Sequence, residues 1–306
     1  IGGGDDQVAL ITNAVSRLIV DSNSRISLSN NDSGGDSGDG TGTSGNTTLG
    51  YLAGNAIASG GLNNLLLGHK SGNAITTGDH NIAIGSNALL VHTTGNRNIA
   101  IGANAMKDTD AHATTLGSND NVFIGYNSGS GTWASGTESY GNVAVGTYTM
   151  EGAMSEALYN TALGFNALGD ITTGDENVGI GQSAGAAITT GSDNVCIGVN
   201  AGRSLNTEDN NTYIGYESAR FIDDGTNNVA VGYASMKGVS TGNDATDNVA
   251  VGVNSMTAIV DGDQNTGVGK NSLTSLTDGH FNVAVGSGSA SAVNTGQGNT
   301  AVGINT

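Results

Sequence analysis

The chain has 306 residues, a formal net charge of −18, 36% apolar residues and only 4% aromatic ones. So acidic a chain suits neither nucleic acid nor an anionic membrane surface, and 51 Gly without a single Pro exclude collagen. No apolar run reaches the roughly 18 residues a transmembrane helix needs, so membrane insertion is not expected.

In chain order, Gln7–Leu28 alternates apolar and polar residues and predicts two or three strands. Asn30–Gly45 is rich in Gly, Ser and Asp and reads as a linker or long loop. Residues 1–45 thus form an N-terminal β segment plus linker, expected to cap the rest of the chain or to attach it to other proteins. The chain opens at Ile1 without Met or a basic run, so no signal peptide is expected.

Residues 46–306 are governed by one repeat. The pentapeptide Asn-(apolar or Thr)-x-(Leu/Ile/Val)-Gly occurs fifteen times, and nine of the fourteen intervals between its Asn residues are 17 residues long. A fixed period implies stacked coils, each needing its neighbours to bury an apolar face. The fold class expected is therefore all-β, a parallel β-roll or solenoid of about 15 coils. At a spacing of about 4.8 Å such a stack would be roughly 70 Å long.

Numbering each coil from its Asn, positions 2 and 4 carry Val, Ile, Leu or Thr, and position 3 carries mostly Ala or Gly. Period 2 places residues 2 and 4 on one side of a short strand and residue 3 on the other. The expectation is that the branched residues form the inner columns and that the small ones face a neighbouring chain about a three-fold axis. A second short strand is expected over positions 6 to 9.

The invariant Asn predicts a ladder of stacked amides, with Asn81, Asn98, Asn177, Asn194 and Asn211 as representatives. The invariant Gly predicts positive φ or a close backbone approach, as at Gly85, Gly102, Gly181, Gly198 and Gly215. Position 12 is often apolar (Ile75, Ile171, Ile188, Leu205), and the turn back is often Thr-Thr-Gly. Longer intervals place loop excursions at Met106–Asp120 and Ser128–Tyr140. Loops vary without breaking the coil, so receptor contacts are expected there, at Lys107, Trp133 and Tyr140. Tyr51, Tyr126, Phe165, Tyr216 and Tyr233 share position 6 and read as cover for turn backbone, with a sugar-stacking surface as the alternative.

The units NIAIGSNAL, NIAIGANAM, NTALGFNAL and NVAVGVNSM resemble the head repeats of trimeric autotransporter adhesins, the YadA-like (Hep/Hag) type, over residues 46–306. That resemblance implies a left-handed β-roll in a homotrimer. The stretch RLIVDSNSRISLSN ahead of such units also resembles tail-fibre and appendage proteins of tailed phages. The function expected is a non-enzymatic fibre or appendage of a phage virion, acting as shaft or host-attachment element. The alternatives are a bacterial surface adhesin head and a polysaccharide-cleaving tailspike. Partners expected are other copies of the chain, further virion or surface proteins through the N-terminal segment, and a host glycan or protein.

No catalytic residue, cofactor or metal ligand stands out. The sequence lacks HExxH, CxxC, a Walker loop and a G-x-S-x-G elbow. Asp79, Asp175 and Asp263 follow the turn Gly, but Asn96, Ser192, Thr226 and His280 take the same place elsewhere. That set is too irregular for a Ca2+ ladder and admits only an incidental ion. Cys196 reads as a small buried thiol and the five His as exposed polar residues, and replacing His92 is expected to leave stability and any binding unchanged.

Overall fold

A computed structural model of the chain describes the strands Val8–Thr12, Val15–Val20 and Ile26–Ser27 as backbone, and residues 45–57, 60–109, 117–133, 138–239 and 243–306 in full. Most of the expected linker, and parts of both expected loop excursions, lie outside the described residues. The chain divides into two units, Ile1–Glu138 and Ser139–Thr306.

In the first unit, β1 (Val8–Thr12), β2 (Val15–Val20) and β3 (Ile26–Ser27) form an antiparallel three-stranded sheet. Five strands then pair in parallel: β4 (Thr47–Leu49), β5 (Leu65–Leu67), β6 (Ile82–Ile84), β7 (Ile99–Ile101) and β8 (Val122–Ile124). The second unit holds ten more parallel strands, β9 to β18. They are Val143–Val145, Thr161–Leu163, Val178–Ile180, Val195–Ile197, Thr212–Ile214, Val229–Val231, Val249–Val251, Thr266–Val268, Val283–Val285 and Thr300–Val302. Register follows the repeat: Val178 pairs with Val195, Gly179 with Cys196, and Ile180 with Ile197. The protein is an all-β parallel β-solenoid of about 14 turns at about 17-residue spacing, with no helix among the described residues.

Each coil has one strand, not two. Where a second strand is expected, positions 7 and 9 take left-handed backbone, as at Asn166 (φ 53°) and Leu168 (φ 47°). Alternating left-handed residues cannot form an extended ladder. The coils are still joined there by main-chain hydrogen bonds, Asn166 N–H to the Thr147 carbonyl (3.0 Å) and Leu168 N–H to the Ala184 carbonyl (3.0 Å). Asn recurs at position 7 because it tolerates this conformation better than other side chains.

The strand faces are the reverse of the sequence expectation. Position 3 points inward: Ala83, Ala100, Ala144, Cys196 and Tyr213 are fully buried. Positions 2 and 4 point outward and are half-buried or exposed. The core consists of positions 3, 8, 9 and 12, such as Ala162, Ala167, Leu168 and Ile171. It is thin, so the inner residues must share volume. Ala at position 3 accompanies a large residue at position 9 in the same coil (Ala83 with Leu89, Ala100 with Met106, Ala162 with Leu168). A larger residue at position 3 accompanies Gly at position 9: Leu66 with Gly72, Phe123 with Gly129, Cys196 with Gly202. A Cβ on Gly72 would stand 2.7 Å from Leu66 Cδ2, and one on Gly129 2.6 Å from the Phe123 ring. The two slots are alternate ways of filling one space to interior density.

Candidate functional site

The Asn residues form a continuous hydrogen-bonded ladder within each unit. Each Asn Oδ1 accepts from the main-chain N–H of the next Asn at 2.8–3.1 Å. Each amide also donates to a carbonyl of the returning turn: Asn81 to Gly95 (2.8 Å), Asn98 to Ser118 (2.8 Å), Asn177 to Gly191 (2.8 Å), Asn194 to Glu208 (2.7 Å) and Asn211 to Gly225 (3.0 Å). All five are fully buried. Gly85, Gly102, Gly181, Gly198 and Gly215 carry φ of 125–136°, and a Cβ on each would stand only 2.3–2.7 Å from the carbonyl oxygen of the next glycine in the column.

A second ladder explains the irregular turn residues. The side chain at position 16 accepts from the main-chain N–H of the same position one coil earlier. Asp79 accepts from Leu62 (2.6 Å), Asn96 from Asp79 (2.7 Å) and Asp175 from Leu158 (2.8 Å). Ser192 accepts from Asp175 (3.1 Å), Asp209 from Ser192 (2.7 Å), and His280 Nδ1 from Asp263 (3.0 Å). The place requires only an acceptor, so Asp, Asn, Ser and His interchange. Burial raises the Asp175 carboxyl above its ordinary range against the lowering pull of the Leu158 N–H. Among the described residues no group of three or more His, Cys, Asp or Glu is arranged to hold a metal ion. Cys196 is buried, and burial pushes its thiol up to about 12, which keeps it protonated at neutral pH.

His92 corrects the reading of the histidines as exposed. It stands at position 12, the slot Ile75 and Ile171 fill in other coils, and is fully buried. Its Nδ1 lies 2.8 Å from Thr109 Oγ1 and its Nε2 3.2 Å from the Asn98 amide nitrogen. His92→Ala is therefore expected to cost about 2–4 kcal/mol, from the cavity and the lost hydrogen bonds. Denaturant unfolding measures this, and an unchanged midpoint would mean the ring does not support the coil.

Of the three loop residues expected at a receptor surface, Lys107 and Trp133 belong to the first unit, where the Trp133 N–H donates to the carbonyl of Asp108 (2.9 Å), and Tyr140 belongs to the second. Trp133 is an interior residue, only 2% exposed, tilted against Phe123 with ring centroids 5.6 Å apart. The large Phe at position 3 gives the indole an apolar wall, so Trp133 offers no contact surface. Lys107 is half-buried at position 10, and Tyr140, in the second unit, packs edge-on against Tyr159 at 5.1 Å. At position 6, Tyr216 and Tyr233 stack face to face at 5.4 Å and stay about half exposed.

A concave surface lies elsewhere, in the second unit, lined mainly by residues at positions 10 and 11. A cavity of about 520 Å³ is lined by Phe221, Lys237, Val239, Asn254, Thr257 and Thr274, among others. Lys237 joins this lining to an ion cluster in which Glu217 binds two cations, Lys237 Nζ at 2.7 Å and Arg220 Nη1. Both cations lie over the Phe221 ring, at 4.8 Å for the guanidinium carbon and 5.9 Å for the ammonium. The hydrogen bond from Lys237 holds the Glu217 carboxyl below its ordinary range, aided by the charges of Lys237 and Arg220 against burial. Sequence reasoning missed this cluster. Its signal was available: Arg203, Arg220 and Lys237 occupy position 10 of three consecutive coils.

No helix among the described residues is long and apolar enough to cross a membrane. No protein-family model matches the chain, and a search of curated proteins finds no match.

Proposed function

We propose that this chain is a non-enzymatic, homotrimeric fibre component of a phage virion, serving as shaft or host-attachment element. The observation that carries the proposal is the outward face of the strands. Positions 2 and 4 stack branched apolar side chains into columns that stay open to solvent, with Leu163 48%, Val283 38% and Val285 39% exposed. A regular apolar face of this kind marks an interaction surface. Other copies of the chain would cover it with an identical, equally periodic face, and a three-fold arrangement closes the assembly. The phage assignment rests on the resemblance of RLIVDSNSRISLSN and the adjoining units to tail-fibre proteins. The same units resemble adhesin heads, and a C-terminal barrel anchor in the complete precursor would favour that reading.

The test is mass in solution by light scattering. Three copies of the 30.2 kDa chain are expected, and a particle of one chain's mass would overturn the assembly. Ile180→Asp with Ile197→Asp sharpens it. Both side chains lie on the outward face, so the charges are hydrated in a monomer but stripped of water between subunits. The double variant should dissociate while each chain keeps its β circular dichroism. A variant that stays trimeric would place the interface on another face.

A further inference from the structure

The groove over Phe221 has a charge pattern at odds with the rest of the chain. The net charge is −18, and the second unit has only four Lys and Arg, at 203, 220, 237 and 270. Three of the four are stacked on one corner. The coils that carry them are in register, with Gly202 N–H bonded to the Ser218 carbonyl (2.9 Å), Ala219 N–H to Ser235 (2.9 Å) and Phe221 N–H to Lys237 (2.9 Å). Glu217 is one anion shared between two cations, so Arg220 and Lys237 together keep a positive charge, and exposed Arg203 adds to it. Arg220 is incompletely used: Glu217 takes Nη1, while Nε is buried with no acceptor among the described residues. A buried unsatisfied donor calls for a reason.

The lining is mixed. Phe221 and Val239, the latter 60% exposed, supply apolar surface. Thr257, Thr274 and the Asn254 amide supply polar groups on the far wall. The volume lies in the range of small-molecule sites, which pair apolar walls with a few fixed polar groups. Asp223, Asp224 and Asp244 form an acidic flank in the same stack of coils, where burial and the charge of Asp223 raise the Asp224 carboxyl. A densely charged polyanion such as nucleic acid would be repelled by that flank. A ligand with a single carboxylate, an apolar ring face and several hydroxyls matches all three features.

We propose that this groove binds a carboxylated glycan, a uronic or sialic acid unit, with its carboxylate toward Arg220 and Lys237, its ring against Phe221 and Val239, and its hydroxyls toward Asn254, Thr257 and Thr274. The proposal does not depend on the fibre reading, because the groove is complete within one chain's second unit.

The experiment is isothermal titration of the 306-residue chain with 3′-sialyllactose, which carries a single carboxylate, with lactose as the neutral control and a single-stranded oligonucleotide as the phosphate control. Saturable binding of the carboxylated sugar is expected, with affinity falling as salt rises, and at least tenfold weaker binding of both controls. Ala258→Trp fills the groove without touching the ion pairs and should abolish binding, and Lys237→Gln should weaken it at least fivefold. Glu217→Gln removes the competing anion and should tighten binding severalfold, an effect that a merely structural role would not produce. No binding, equal binding of either control, or binding unchanged in Ala258→Trp would each overturn the assignment. Light-scattering mass on the same samples reports separately on the trimer.

Discussion

Asn194→Ala is expected to destabilise the second unit by about 2–6 kcal/mol, because it orphans buried groups in two coils at once. The Asn194 amide donates to the Glu208 carbonyl (2.7 Å) and to Asn177 Oδ1 (3.1 Å), and its Oδ1 accepts from the Asn211 N–H (3.0 Å) and Asn211 Nδ2 (3.1 Å). Alanine deprives the Glu208 carbonyl and the Asn211 N–H of these partners without exposing them to water, and each buried orphan costs about 1–3 kcal/mol. Asn194→Asp should be no better. It keeps the acceptor toward Asn211 but turns a second oxygen toward Glu208 and Asn177, and it buries a charge. Asn299→Ala is the control, since Asn299 is exposed and bonds to Asn282 alone in the ladder (3.0 and 2.8 Å); it should cost less than about 1 kcal/mol. Urea unfolding followed by circular dichroism compares the three. Equal midpoints for the Asn194→Ala and Asn299→Ala variants would mean that the ladder accompanies the fold without holding it.

The repeat made much of this fold legible, and what it hid has a physical cause. Strand positions, the amide ladder and the glycine column follow from invariance, because each has only one residue type that fits. The inside and outside of the strand do not follow, because period 2 separates two faces without saying which is buried. Val and Ile at positions 2 and 4 suggested the core, yet Ala162 is buried because Leu168 and Ile171 already fill the coil beneath it. The correct signal lay in the pairing of positions 3 and 9. Leu66 with Gly72 and Phe123 with Gly129 show two residues dividing one volume, which a surface position would not require. His92 was legible by phase, since it shares its slot with Ile75. The Asp, Asn, Ser and His at position 16 concealed a ladder because the geometry asks only for an acceptor. The cation column was equally visible by phase, but the groove beside it was not. Its walls come from four coils, and its depth depends on Gly238 and Ala258 being small.

Gly198→Ala should be among the most damaging single changes in the protein, at about 3–5 kcal/mol, and it separates two reasons for glycine. Gly198 has φ 134°, a region that side chains rarely enter, and a Cβ there would collide with the Gly215 carbonyl. That obstacle is backbone of the next coil, so relief requires parting two coils that are hydrogen-bonded on both sides of the glycine: Gly215 N–H to the Ile197 carbonyl (2.7 Å) and Glu217 N–H to the Val199 carbonyl (2.9 Å). Gly185, at position 9, differs. Its φ of 58° lies in the left-handed region that Leu168 (47°) and Ala219 (50°) also adopt in the same slot of other coils. A Cβ on Gly185 would meet Leu168 Cδ2 at 2.8 Å and Ile188 Cδ1 at 2.9 Å, which are the ends of flexible side chains. Gly185→Ala should therefore cost less than about 2 kcal/mol, as mild overpacking. Thermal and urea unfolding of the two variants decides between them. If both cost the same, the glycine column would be set by side-chain volume like the rest of the core, and the close carbonyl approach would not be what fixes residue 5 of every coil.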